Sequence, residues 1–389
     1  MKLLKSLQKG AITTAVTLTL AACGSSNGST PTPTPAPTPA PTVVYQDVIN
    51  DLVSIDIPGI VLLVETPEGR FLGSAGVSNL ETQQAMQVGD TMPTASTGKK
   101  MIALLAIQLA DEGLLNLDDT IDTWLGENIL SRIANSQQMT LRQLLNHTSG
   151  VFNYADVEGD GYTDLLLAEP EVLKTDIDFL ELVFDHPGYF LPGEGYEYSN
   201  SGYSLAALIM DEVLGEHHSV ALRNRFFDPL GMTSTYYKGS EASLGDFISG
   251  YLTTDEGDQL DTRQFLINTS QAGSPLISSV EDMAIFLKAL ITDDSFANDV
   301  VKNTMFGEDN LITQDATEKS GLGIDVATID GHTVYAHSGL TFGYTAQSAY
   351  IEETDTSIAL FFNCGAGGIN TCASTFDELV QTVLENELN

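Results

Sequence analysis

The stretch TASTGKKMIALLAIQLADEG, from Thr94 to Gly113, places a serine and a lysine at the start of a long apolar run. Ser96 and Lys99 are three positions apart, so on a helix their side chains lie on one face. The following residues are apolar on nearly every side, which is typical of a buried central helix. Burial removes the hydration of a lysine and favours its neutral amine. We therefore predict that Ser96 is a nucleophile and that Lys99 is the base that activates it.

The same pattern has a plainer interpretation, which the stretch alone does not exclude. In that interpretation Ser96 only caps the helix, Lys99 extends toward solvent, and Lys100 is a solvated neighbour. An S-x-x-K spacing occurs by chance in most long chains, so the prediction depends on further motifs elsewhere in the sequence.

A second motif lies in LPGEGYEYSNSGYSLAALI, where Tyr198 and Asn200 precede another predicted helix. A tyrosine hydroxyl can pass a proton, and an asparagine amide can hold both a lysine and a substrate carbonyl. The alternative is a capped helix with a buried aromatic residue.

A third motif, in VYAHSGLTFGYTAQSAYI, places His337, Ser338 and Gly339 at the end of a predicted strand. Glycine at such a position allows a ligand to approach the strand closely. A strand edge beside the serine-bearing helix can also supply a backbone N–H to an oxyanion.

The predicted secondary structure indicates a sheet built from both ends of the chain. IPGIVLLVETPEGRFLGSAGVSN reads as two strands joined by a turn at TPEG. Three more strands are predicted from TVYAHSG, GYTAQSAYIEE and TSIALFFNC, followed by a closing helix in STFDELVQTVLENEL. The sequence between these ends is mostly helical, as in GYSLAALIMDEVLG and SVEDMAIFLKALITDD.

The N-terminus predicts export and a lipid anchor. A lysine-bearing start and a short apolar run end in LAAC, which resembles a bacterial lipoprotein signal. Residues 1–22 would be removed, and Cys23 would become the lipidated N-terminus. Residues 23–43 continue as a proline- and threonine-rich tether, typical of extended polyproline II. We expect a monomer in the cell envelope, on the periplasmic side or the outer membrane; the alternative is an ordinary secretory signal with a chance cysteine.

Charge and the remaining cysteines limit the kinds of partner. The chain has 53 acidic and 16 basic residues, and a net charge of −37 argues against binding to nucleic acid or to anionic membranes. Cys364 and Cys372 bracket a glycine-rich turn and are expected to form a disulfide after export, the alternative being two unpaired thiols. Acidic residues alternate from Asp156 to Asp164 as in a calcium loop, but Leu167 stands where a bidentate glutamate is needed. A solvated surface loop is therefore the preferred interpretation.

The three motifs, STGK, YSN and HSG in this order, resemble those of the serine β-lactamase and penicillin-binding-protein superfamily. The resemblance is greatest to class C β-lactamases, D,D-carboxypeptidases and related esterases. Further stretches of similar sequence are LRQLLNHTSGV, FFDPLGMTSTYY and GSPLISSVEDMAIFLKAL, and the resemblance covers residues 44–389.

The resemblance implies a mixed α/β (α+β) fold, with an antiparallel sheet of five or more strands, flanking helices and an inserted all-helical subdomain. It implies that substrate acylates Ser96 and that Lys99 and Tyr198 share the proton transfers. Backbone N–H groups of Ser96 and Leu340 would bind the oxyanion. The residues expected to bind substrate are Asn200, His337, Ser338, Gly339 and Leu340. No metal or organic cofactor is implied, and His147 is expected to be a structural hydrogen-bonding residue.

One departure from the resemblance concerns the third motif. Class C β-lactamases have lysine where this chain has His337, and a histidine holds a carboxylate firmly only when it is protonated. We therefore expect a serine acyl hydrolase that is D,D-carboxypeptidase-like or a related peptidase or esterase, with weak or no β-lactamase activity. Its substrate would be a small molecule, short peptide or ester, such as a peptidoglycan stem peptide. The alternative is a non-catalytic envelope lipoprotein that binds cell-wall peptide or another partner.

Overall fold

A computed structural model describes residues 44–157, 161–313, 318–368 and 371–388. The signal peptide, Cys23 and the tether at residues 23–43, predicted from the sequence, lie outside the described residues. Within the described ranges, none of the helices has the length and apolar character needed to cross a membrane.

The largest element is a nine-stranded, fully antiparallel sheet in the order β11-β12-β13-β14-β15-β16-β1-β2-β3. Its strands are β1 (Gly59–Thr66), β2 (Gly69–Asn79), β3 (Gln84–Ala85), β11 (Ile312–Thr313), β12 (Glu318–Ser320), β13 (Asp325–Ile329), β14 (His332–Thr341), β15 (Tyr344–Ile351) and β16 (Thr356–Phe362). The first strand lies between the second strand and β16, so both chain ends build one sheet, as predicted.

The helices cover both faces of this sheet. They are α1 (Tyr45–Leu52), α2 (Lys99–Asp111), α3 (Glu127–Leu130), α4 (Leu141–Leu145), α5 (Gly161–Leu167), α6 (Asp176–Leu180), α7 (Asn200–Leu214), α8 (His218–Leu222), α9 (Asp228–Leu230), α10 (Arg263–Leu266), α11 (Val280–Thr292), α12 (Asp299–Phe306) and α13 (Cys372–Leu388).

Alternation along the central strand divides the apolar core in two. Side chains of successive residues in a strand point to opposite faces. Val61 and Leu63 therefore join the cluster that contains α2, α7 and α11. Ile60 and Leu62 join the cluster that contains α1 and α13. The second helix is buried on nearly all sides, as its sequence predicted, and it carries the lysine of the first motif at its start.

The segment between β3 and β11 is mainly helical but not entirely so, which corrects one detail of the expected fold. It also contains the short strands β4 (Met92–Pro93), β5 (Lys174–Thr175), β6 (Tyr236–Tyr237), β7 (Tyr251–Thr253), β8 (Gln259–Asp261), β9 (Thr269–Ser270) and β10 (Leu276–Ser278). They pair in three small sheets, one of which includes β17 (Cys364–Gly368). Buried connecting segments must pair their backbone N–H and C=O groups, and these ladders do so.

A disulfide joins Cys364 and Cys372, and both cysteines are fully buried. It ties the strand after β16 to the start of the closing helix. Ala366 inside this closed loop forms a bridge with Phe342, just past the end of β14. The bond therefore holds a backbone segment against the strand that carries the third motif.

Lys238 has an unpaired buried amine away from all three motifs, and its replacement by methionine is expected to stabilise the protein. The side chain is 1% exposed and its Nζ has no hydrogen-bond partner. An unsatisfied buried donor costs about 1–3 kcal/mol, which methionine avoids at similar volume. Burial lowers the pKa of Lys238 to about 7.

This depressed pKa predicts a specific pH dependence. The lysine pKa is about 10.4 in the unfolded chain, so between about pH 7 and 10.4 the unfolded state binds more protons than the folded state. This group therefore makes the free energy of unfolding rise with pH over that range. Urea titrations at several pH values should show this rise in the natural protein and a smaller one in Lys238→Met. A variant less stable than the parent at pH 7 would contradict the prediction.

Candidate active site

Ser96 lies in a tight turn between the sheet and the central helix. Residues Ala95–Gly98 form a 3-10 turn that leads directly into α2. Ala95 has a φ of 49°, a left-handed conformation that is unfavourable for a residue with a Cβ. Strain of this kind is found where surrounding structure over-determines a functional turn.

The strand β14 passes close to this turn because Gly339 has no side chain. A Cβ at Gly339 would lie 2.4 Å from the carbonyl oxygen of Thr94 and 2.9 Å from the backbone nitrogen of Ser96. The hydroxyl of Thr97 also donates to the carbonyl of His337 at 3.1 Å. The third motif is thereby fixed beside the first.

Lys99 Nζ contacts three oxygen atoms inside the protein and is fully buried. It lies 2.7 Å from Asn200 Oδ1 and 3.1 Å from Ser96 Oγ, and it also donates to the carbonyl of Gly273. No carboxylate lies within ion-pair distance of this amine in the described part of the chain. Burial without a counter-charge lowers the pKa of Lys99 far below its usual range.

Tyr198 completes the contacts of the serine. Its hydroxyl donates to Ser96 Oγ at 2.7 Å. Burial raises the pKa of Tyr198 far above its usual range, although the hydrogen bond to Ser96 opposes that shift. At neutral pH the phenol is therefore protonated, so Tyr198 can donate a proton but does not act as the base toward Ser96.

Asn153 orients the asparagine of the second motif and was not among the residues identified from sequence. Its Oδ1 accepts from the backbone N–H of Asn200 at 3.1 Å and from Asn200 Nδ2 at 3.2 Å. These bonds turn the oxygen of the Asn200 amide toward Lys99. The only sequence signal was position, since Asn153 stands two residues after the family-like stretch LRQLLNHTSGV.

His147 packs against the ring of Tyr198. Its Nδ1 accepts from the backbone N–H of Ser199 at 3.2 Å, and its ring centroid lies 4.3 Å from that of Tyr198. Burial and the nearby Lys99 amine lower the pKa of His147 to about 3, so the ring is neutral. Its contacts are those of the structural residue that the sequence predicted.

His337 is neutral and has a defined tautomer. Its Nδ1 lies 2.6 Å from the carbonyl oxygen of Ser338, and because a carbonyl only accepts, Nδ1 carries the proton. Burial and the amines of Lys100 and Lys99 lower the pKa of His337 well below its usual range. The ring therefore supplies no positive charge at neutral pH.

Lys100 is not a solvated neighbour, which corrects the sequence interpretation. It is fully buried, and its Nζ donates to Ser348 Oγ at 2.8 Å. Burial lowers the pKa of Lys100 to about 7, and the carboxylate of Asp325 opposes that shift. A helix that is buried on nearly all sides has no solvated face on which the second lysine could lie.

Two cavities meet at Ser96. The first has a volume of about 360 Å³ and is lined by residues of the second and third motifs, including Tyr198, His337 and Ser338. The second has a volume of about 290 Å³ and includes Tyr154, Tyr162 and Phe342. Asn200 and Leu340 line both cavities. If the bond to be cleaved lies at Ser96, the two parts of the substrate on either side of that bond would therefore occupy different cavities.

Asp156 of the acidic loop lines the first cavity. Residues 158–160 of the predicted calcium-like loop lie outside the described residues. Asp156 accepts from the hydroxyl of Tyr189 at 2.7 Å, and Asp164 lies within α5. His218 is buried between Asp211 and Tyr237, 2.8 Å from each, and lines neither cavity.

Comparison with known proteins agrees with this geometry. A family model described as Beta-lactamase matches residues 46–370. Penicillin-binding protein 4* of Bacillus subtilis (strain 168) is 26% identical over 316 residues, which cover 78% of this chain and 67% of that protein.

Solved structures share the fold. The D-amino acid amidase from Ochrobactrum anthropi SV3, solved in complex with D-phenylalanine, is 26% identical with a TM-score of 0.75, covering 88% of this chain and 98% of that one. The penicillin binding protein from Bacillus halodurans has a TM-score of 0.71 at 23% identity, covering 84% and 95% of the two chains. Since the family model spans most of the chain, this protein belongs to the Beta-lactamase family and is a serine hydrolase of the superfamily that includes penicillin-binding proteins.

Proposed function

We propose that this serine hydrolase cleaves amides or esters through a covalent acyl group on Ser96. One observation carries the proposal, namely the set of contacts around Lys99. A neutral amine has two N–H donors and one lone pair. Asn200 Oδ1 and the carbonyl of Gly273 accept only, so they take the two donors. The lone pair then faces Ser96 Oγ, 3.1 Å away, and can accept its proton.

The proposed acylation and deacylation need only these groups, the substrate and water. Ser96 Oγ attacks the substrate carbonyl carbon as its proton moves to Lys99, and a tetrahedral oxyanion forms. The proton then passes, through the Tyr198 hydroxyl, to the leaving nitrogen or oxygen as its bond to carbon breaks. Water then attacks the acyl-Ser96 ester as Lys99 accepts a proton from it, and Lys99 returns that proton to Ser96 Oγ as the bond between Ser96 and the acyl group breaks and the acid product leaves.

Substrate positioning is assigned to the second and third motifs. The backbone N–H groups of Ser96 and Leu340 would bind the oxyanion, a role supported by the close packing of Gly339 on the Ser96 turn. Asn200 would hold the substrate carbonyl while it orients Lys99. His337 and Ser338 would shape the first cavity.

Among the activities that the sequence suggested, these residues favour an amidase, peptidase or esterase over a D,D-carboxypeptidase or an efficient β-lactamase. The latter two act on substrates with a free carboxylate, which needs a positive partner. Neither cavity is lined by an arginine or a lysine in the described part of the chain, and His337 is neutral. The similarity to a D-amino acid amidase supports the same choice.

The proposal is tested by intact-mass spectrometry of residues 44–389 after exposure to a fluorophosphonate and, separately, to a penicillin. We expect a fluorophosphonate adduct on the parent protein and none on Ser96→Ala. We expect the penicillin adduct to form slowly or not at all. Equal and rapid labelling by both reagents would favour a carboxypeptidase-like enzyme instead.

A non-catalytic envelope protein remains the second candidate, and the same measurement separates the two. A binding protein would show no adduct with either reagent. The contact of Lys99 with Ser96 and the lowered pKa of Lys99 argue against it, because recognition alone has no use for a buried amine without a counter-charge.

We also propose that Cys23 is lipidated and that residues 23–43 tether a monomeric hydrolase to the cell envelope. The proposal is supported by the LAAC sequence and the proline-rich stretch. Incorporation of labelled palmitate should be lost in Cys23→Ala, and equal labelling of both proteins would refute the anchor.

A further inference from the structure

The first cavity carries an excess of negative charge that the proposed reaction does not use. Four acidic residues line it: Asp156, Glu197, Glu318 and Asp325. Asp325 and Asp156 accept from neutral hydroxyls, those of Ser320 and Tyr189, which do not cancel their charge. A cavity with low-dielectric walls and charge of one sign attracts ligands of the opposite sign.

The Lys100 amine attracts one of these carboxylates, that of Asp325. This amine donates to Ser348 and does not line the cavity. Burial raises the pKa of Asp325, and the hydrogen bond from Ser320 and the attraction of Lys100 oppose that shift. The carboxylate of Glu197 has no ion-pair partner among the described residues and is exposed at the rim.

A second observation points to a bound hydrogen-bond donor. Gln347 of β15 is 4% exposed and lines the same cavity, yet its Oε1 has no hydrogen-bond partner. A buried carbonyl oxygen without a donor is costly, and such groups are normally satisfied by protein, water or ligand. A ligand with N–H groups would satisfy Gln347 and be attracted by the carboxylates.

The position of Tyr198 indicates which part of the substrate, the acyl group or the leaving group, binds in the first cavity. Tyr198 lines the first cavity and not the second, whereas Ser96 lines both. The group that hands a proton to the departing atom must touch that atom. The leaving group therefore lies in the first cavity, and the acyl group lies in the second, among aromatic side chains.

We propose that the first cavity is a cation subsite that selects substrates whose leaving group carries a protonated amine. Glu197 and Asp325 attract the ammonium, and Gln347 accepts one of its N–H groups. The inference rests on the proposed acyl transfer at Ser96 but names a preference that this chemistry alone does not require.

Three phenylacetate esters with matched six-membered rings test the inference. The leaving alcohols are 4-hydroxypiperidine, which is cationic at pH 7, cyclohexanol, which is neutral, and 4-hydroxycyclohexanecarboxylate, which is anionic. We expect kcat/KM at low ionic strength to fall about tenfold from the cationic to the neutral ester, and further for the anionic ester, as for unit charges a few ångströms apart. Salt should reduce the preference.

Glu197→Gln removes one charge with little change in shape and should lower the cationic-to-neutral ratio at least about threefold. Glu194→Gln is the matched control, because Glu194 is an exposed residue of the same loop that does not line the cavity, and its ratio should equal that of the parent. Turnover of the cyclohexyl ester without any cationic preference would overturn the subsite and leave the proposed hydrolase intact. Absence of turnover, together with no fluorophosphonate adduct, would overturn both.

Discussion

Replacing Lys99 by methionine is expected to lower kcat/KM for ester hydrolysis by about 10³–10⁴-fold, the contribution of a well-placed general base. Methionine has a similar length and fills the buried space, but it offers no lone pair of comparable basicity to Ser96. The measurement is steady-state hydrolysis of a 4-nitrophenyl ester, with the rate of fluorophosphonate labelling as a second readout. Both should fall together, because both depend on the nucleophilicity of Ser96.

The control for this variant is Lys238→Met, which also removes a fully buried amine but lies outside both cavities. It should keep the parent rate. If Lys99→Met labelled at the parent rate while Lys238→Met behaved as expected, Lys99 would not be the base.

The pH dependence of the parent enzyme carries the same information. Only the neutral amine can accept the proton, so activity should rise with pH through the pKa of Lys99 in the folded protein. Because burial lowers that pKa far below the usual value for lysine, activity should already be substantial near neutral pH. An enzyme that gained activity only above pH 10 would have a solvated, ordinary lysine at this position.

Replacing Tyr198 by phenylalanine is expected to cost about 10²–10³-fold in kcat/KM for an anilide substrate, within the range seen for proton transfer to a reacting group. The loss should be smaller for a 4-nitrophenyl ester. Nitrophenolate departs without a proton, whereas an amine must be protonated to leave, and Tyr198 lies 2.7 Å from Ser96 Oγ, where that proton passes. The ratio of the two losses is thus the informative quantity.

Equal losses for ester and anilide would contradict the relay and would indicate that the phenol only positions Ser96. A thermal melt close to that of the parent is the necessary control. The Tyr198 ring packs on His147, and phenylalanine retains that contact.

The charge of the site distinguishes this protein from what the motif order alone suggests. From the sequence alone it was undecided whether the histidine of the third motif binds a substrate carboxylate, since the charge of a histidine depends on its pKa. In the folded protein three effects act in one direction: burial, Lys99 and Lys100 all disfavour the imidazolium of His337. The acidic lining of the first cavity would in addition repel a substrate carboxylate directly.

The sequence by itself determined the main elements of the sheet, the buried central helix and the three motifs. Each of these depends on local patterns: alternating or continuous apolar runs, an uninterrupted apolar helix, and short spacings such as that of Ser96 and Lys99. Such patterns act through neighbours in the chain, and they are legible without a structure. The order of the motifs along the chain was enough to suggest the family.

Only the tertiary structure decided how those motifs work together. Asn153 and Gly273 come from loops in which no local pattern marks them as parts of the site, yet they set the orientation of Asn200 and the donors of Lys99. Three further features depend on contacts between residues that lie more than two hundred positions apart or on adjacent strands. They are the burial of Lys100, the neutral state of His337 and the unpaired oxygen of Gln347. Desolvation and unpaired polar groups are properties of a packed environment, so no short stretch of sequence can specify them.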